Sequence, residues 1–91
     1  MRTRSFKQSL TTAEAKELLQ EEGYKPLGRV EAERFVQSGQ QWKRFKKPRT
    51  VVFAASNPAV FVLVGRGPNE CYVYKEVLLG WWISGTRFAV E

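Results

Sequence analysis

Ala59-Val60-Phe61-Val62-Leu63-Val64 is apolar at every position. A strand with one face in water alternates apolar and polar residues, because successive side chains point to opposite sides. An unbroken apolar run therefore reads as a central strand covered on both faces. The flanking sequence supplies neighbours for it. Residues 50–55 are β-branched and aromatic, and Ser56-Asn57-Pro58 turns the chain. Gly65-Arg66-Gly67-Pro68-Asn69 is a second turn, and residues 71–79 read as a third strand. Gly80 interrupts the pattern, and residues 81–83 are expected to pair with 87–90 across Ser84-Gly85-Thr86.

The first half reads as helical. Thr11 and Glu14 have capping-box spacing, Leu10 stands at N′, and Gly23 supplies a left-handed stop, which predicts a helix over 12–22. Residues 24–30 are broken by Pro26 and Gly28 and read as an edge strand or loop. Ala32, Phe35 and Val36 fall at i, i+3 and i+4, which predicts a second helix over 31–38. Two short helices are expected to cover one face of the sheet. The other face is then left to curl into a partial barrel, meet a protein partner or form a homodimer. The expected fold is α+β, with one or two short N-terminal helices followed by an antiparallel β-meander of four to five strands. It forms a single domain over 11–91 behind a flexible basic arm at 1–10.

At 91 residues the chain is long enough for one modest core, burying roughly 60–65% of its unfolded surface. There is no histidine and no aspartate, and the nine acids are all glutamates. Without histidine, Ser-His-Asp and Cys-His catalysis is impossible within the chain. One cysteine cannot supply a structural zinc site or an internal disulfide. Gly65-Arg66-Gly67 lacks the Gly-Lys-Ser/Thr ending of a phosphate loop. A non-catalytic protein without metal or cofactor is expected. It is expected to be cytoplasmic from its lone thiol, with no segment of membrane-spanning length.

The charge is unevenly laid out. Net charge is +6, and residues 36–50 hold five bases and no acid, while the helical stretch 11–35 is net negative. The five bases are Lys43, Arg44, Lys46, Lys47 and Arg49, with Trp42 and Phe45 interleaved. Basic residues with aromatic neighbours suit a nucleic-acid backbone and its bases: the cations contact phosphates and release counterions, and the rings stack on bases. Arg2, Arg4 and Lys7 form a second basic patch on the N-terminal arm. Such a segment also fits an acidic protein surface, so a protein-interaction or inhibitor module, of the mobile-element or phage-regulator kind, is the alternative. Tyr72 and Tyr74 share a strand face, which ordinary β-propensity explains as well as base stacking does.

Residues 10–53 in part resemble the HicA-type messenger-RNA interferases. Leu18-Leu19-Gln20-Glu21-Glu22-Gly23-Tyr24 fits that family's opening helix and Gly-aromatic turn. The run Gly39-Gln40-Gln41-Trp42-Lys43-Arg44-Phe45-Lys46-Lys47-Pro48 loosely parallels its later segment. The catalytic histidine of that family is absent, a helix-like insert occupies 31–38, and residues 54–91 have no counterpart there. What the resemblance implies is limited to an RNA-binding module without cleavage. The leading expectation is a small basic protein that binds RNA or single-stranded DNA through residues 42–49.

Overall fold

Thr11 ends a two-residue strand and starts a helix in one stroke. Its hydroxyl accepts the Glu14 N–H at 3.2 Å, while the Glu14 carboxylate accepts the Thr11 N–H at 2.9 Å. This reciprocal box opens α1 (Thr12–Glu21). At the other end Gly23 takes φ +84°. The Gly23 N–H bonds to the Gln20 carbonyl and the Tyr24 N–H to the Leu19 carbonyl, the paired bonds of a Schellman stop. The Thr11 N–H foremost, then its hydroxyl, hold the Glu14 carboxyl below the usual carboxylate range. Such a group stabilises the fold fully above its unfolded value and loses that contribution as pH falls through the lower folded one. The urea midpoint of the parent is therefore expected to exceed that of a Glu14→Gln variant at neutral pH. The gap should shrink toward about pH 3, and a gap constant with pH would remove the capping role.

The structure is a computed structural model that describes residues 2–38, 49–65, 71–75 and 80–91. Its remaining elements are β1 (Arg2–Ser5), β2 (Leu10–Thr11), α2 (Arg29–Gln37), β3 (Arg49–Phe53), β4 (Val60–Val64), β5 (Cys71–Lys75), β6 (Trp81–Trp82) and β7 (Arg87–Val90). Five strands form one open sheet in the order β1-β7-β3-β4-β5, and β2 and β6 form a separate ribbon. The fold is a small single-domain α+β protein, and its sheet is not a closed barrel.

Three expectations need correction. The sheet is mixed: β3, β4 and β5 run antiparallel in succession, but β7 lies parallel to β3. Residues 81–83 do not pair with 87–90; Trp81 and Trp82 pair with Thr11 and Leu10 instead. Residues 2–5 are not a flexible arm but an edge strand, in register with β7 from Arg2↔Val90 to Ser5↔Arg87. One physical reason covers all three. Phe88, Ala89 and Val90 are apolar at consecutive positions and buried, so β7 belongs at the centre, with neighbours on both edges. The polar strand Arg2-Thr3-Arg4-Ser5 suits an edge. Residues 24–30 form a loop that touches the sheet through a single bridge, Pro26↔Val90.

The helices lie on opposite faces of the sheet, which corrects the expectation that they share one. Alternate residues of the central strands separate into two buried clusters. Val52, Ala54, Phe88 and Val90 pack with Phe6, Leu10, Ala15 and Leu19, on the α1 side. Val51, Phe53, Val60, Val62, Val64 and Ala89 pack with Leu27, Ala32, Phe35 and Val36, on the α2 side. The both-face cover demanded by residues 59–64 is thus largely met within one chain. Cover is incomplete on β4, where Leu63 stays 39% exposed.

Candidate nucleic-acid interface

Because β3 and β7 are parallel, their first residues stand at the same end of the sheet. Arg49 opens β3 and is exposed, and Arg87 opens β7, in register with Val51. The Arg87 guanidinium donates to the Thr3 hydroxyl at 3.3 Å, which ties it to the edge strand. The chain reaches Arg87 through a tight turn. Gly85 takes φ +86° and donates its N–H to the Phe6 carbonyl at 2.9 Å. The Thr86 N–H and hydroxyl both donate to the Ile83 carbonyl, at 3.1 and 2.7 Å.

The β2–β6 ribbon fixes the two tryptophans in different roles. Trp82 donates its indole N–H to the Thr12 hydroxyl at 2.8 Å. Its ring meets Phe61 edge-on, with centroids 5.5 Å apart at 68°. Adjacent residues on a strand face opposite ways, so with Trp82 turned inward Trp81 is turned out and is 67% exposed. Ile83 is 77% exposed. A groove of about 430 Å³ runs past Arg49, Thr50, Trp81, Ile83, Ser84 and Arg87. Its described lining residues include two arginines, both tryptophans, Thr50, Ser84 and Thr86, and no acidic residue.

Of the residues singled out in the sequence, Arg49 lies on this groove. Trp42, Lys43, Arg44, Phe45, Lys46 and Lys47 fall outside the described residues. The N-terminal bases do not form a free patch. Arg2 donates Nε and Nη2 to the main-chain oxygen of Glu91 at 3.1 and 2.9 Å and lies 5.7 Å from the Tyr24 ring centroid. Arg4 pairs with Glu22 at 3.0 Å, donates to the Ser5 carbonyl and sits over the Phe6 ring. These contacts hold the two arginines on the α1 face. Lys7 is exposed, just past β1. Arg87 and Trp81 were not expected at the site. The alternation of Trp81 and Trp82 was readable as a pattern, but nothing local indicates that β6 pairs with β2 or that β7 lies beside β3.

Among the described residues no group of three or more His, Cys, Asp or Glu side chains is placed to hold a metal ion. No described helix is long and apolar enough to cross a membrane. No family model, no curated protein and no solved structure matches the chain.

Proposed function

We propose that the protein is a non-catalytic nucleic-acid-binding protein, with RNA or single-stranded DNA favoured, and that it works through the basic-aromatic stretch from Trp42 to Arg49. The observation that supports this most is the position of Arg49. It is the exposed first residue of β3, on a groove that holds a second arginine and an outward tryptophan but no described carboxylate. Residues 43–47 contribute four more bases directly before it in the chain. Arg2 and Arg4 contribute less to this reading than the sequence suggested, because Glu22, the Glu91 main-chain oxygen and aromatic rings already occupy them. No cofactor or metal enters the proposal.

A second reading has its own support. Trp81 and Ile83 are large apolar side chains left mostly in water, and exposed apolar patches mark protein docking sites. The alternative is therefore an interaction or inhibitor module that docks on an acidic or nucleic-acid-handling protein.

The test is a salt titration of binding to single- and double-stranded RNA and DNA. Five phosphate contacts are expected to give a log–log slope of about −3.5 on single strands and about −4.5 on duplex. Failure to bind any of the four at about 50 mM salt would remove the nucleic-acid reading.

A further inference from the structure

We infer that the pocket between the first turn of α1 and the turn from β3 into β4 binds a phosphate group. The site is built without residues 42–49 and does not rest on the nucleic-acid reading. Side chains on a helix lean toward its N-terminus, so Lys16 reaches back over Thr12 and Ala13, four and three residues earlier. These residues form one wall of a pocket of about 300 Å³, and Ser56 and Asn57 stand across it. Ala13, Ala54 and Ala59 also line it and end at a methyl group, which leaves the space unfilled. Both walls are held in place. The Thr12 hydroxyl accepts the Trp82 indole N–H at 2.8 Å, and the Ala55 N–H donates to the Leu27 carbonyl at 3.0 Å.

Three observations point to an anion. First, Lys16 is half-buried yet has no ion pair or hydrogen bond among the described residues, and no acidic residue is among the pocket's described lining. Second, the Ser56 hydroxyl oxygen is buried without a hydrogen-bond partner among the described residues. Buried polar atoms are nearly always paired, so an orphan hydroxyl on a pocket residue is a donor left for a ligand. Third, the pocket meets the first turn of a ten-residue helix, where N–H groups point out of the helix end and favour negative charge. The Glu14 carboxylate is turned onto the Thr11 N–H and is not part of the lining. An ammonium, a hydroxyl, the Asn57 amide and the helix end are all donors, and phosphate oxygens are acceptors. The groove beside α2 lacks this character, since it sets Lys25 and Arg34 against Glu31 and Glu91.

The experiment titrates inorganic phosphate into the full chain and follows backbone amide NMR signals, with sodium chloride at matched ionic strength as the control. Saturable shifts are expected at Ala13, Ser56 and Asn57 with phosphate and not with chloride. Lys16→Gln and Ser56→Ala should each weaken phosphate binding by about tenfold or more, as expected for hydrogen bonds to a charged group. Ser56→Ala should melt no lower than the parent, because the hydroxyl it removes makes no bond in the free protein. Equal shifts with chloride, no saturation, or parent-like phosphate binding by either variant overturns the assignment. A destabilised Ser56→Ala that still binds phosphate like the parent would make the hydroxyl structural, and also overturns it. Ribose phosphate and a single-stranded oligonucleotide with and without a terminal phosphate identify the source. Shifts from the phosphorylated strand alone name a nucleic-acid end, and shifts from ribose phosphate name a free sugar phosphate. If the protein binds no nucleic acid but phosphate still saturates this pocket, the nucleic-acid reading fails and the phosphate site stands.

Discussion

Replacing Phe53 by alanine is expected to cost about 3–5 kcal/mol of folding stability. Phe53 is 0% exposed at the end of the central strand β3, opposite Val60. Its ring packs 6.0 Å from that of Phe35, tilted at 48°, and this contact seats α2 on the sheet. Deleting the ring loses its transfer free energy and leaves a cavity walled by Leu27, Ala32, Val51 and Val62, which rigid strands cannot collapse to fill. A domain of this size has roughly 5–14 kcal/mol in total, so the variant should sit near the edge of folding. Urea unfolding reads the effect as a drop in midpoint with little change in slope. Leu63→Ala is the internal contrast: that side chain is 39% exposed on the neighbouring strand, and about 1 kcal/mol or less is expected. A Phe53→Ala loss as small as that would mean α2 does not pack as described.

Changing Lys43, Arg44, Lys46, Lys47 and Arg49 together to glutamine is expected to reduce single-strand affinity by about a hundredfold or more at low salt. The reasoning is electrostatic. Each phosphate neutralised releases part of a condensed counterion, so five contacts set a slope of about −3.5, and glutamine keeps polarity and length without releasing any. The diagnostic is the slope, which should flatten toward zero. A gel-shift series over salt reads it, with the urea midpoint as the control for folding. Binding equal to the parent would place the contact elsewhere on the molecule. If an acidic protein is the true partner, nucleic-acid binding is weak in the parent and the substitutions abolish capture of that protein instead.

The candidate site was only partly legible in the sequence. The concentration of charge in residues 42–49 is a matter of counting, and it led to Arg49. Arg2 and Arg4 were counted in the same way but proved to be engaged, because charge counting cannot see that Glu22 lies beside Arg4 across 18 residues of chain. Trp81 and Arg87 looked like members of a terminal hairpin. They form one groove with Arg49 because β7 inserts beside β3, a parallel pairing between strands far apart in the chain.

The sequence by itself determined what depends on neighbours a few residues away. Thr11 and Glu14 can reach each other across one helical turn, Gly23 can adopt a conformation other residues resist, and residues 59–64 have no polar side to give to water. It also determined the absence of histidine, and with it the chemistry that needs one. Tertiary structure alone decided the placement of the two helices on opposite faces, the ordering of residues 2–5 as an edge strand, and which tryptophan points outward. Those outcomes turn on which apolar strand finds which partner. Burial favours any pairing that covers both faces, and a short run such as Phe88-Ala89-Val90 shows that it must be covered without showing by what.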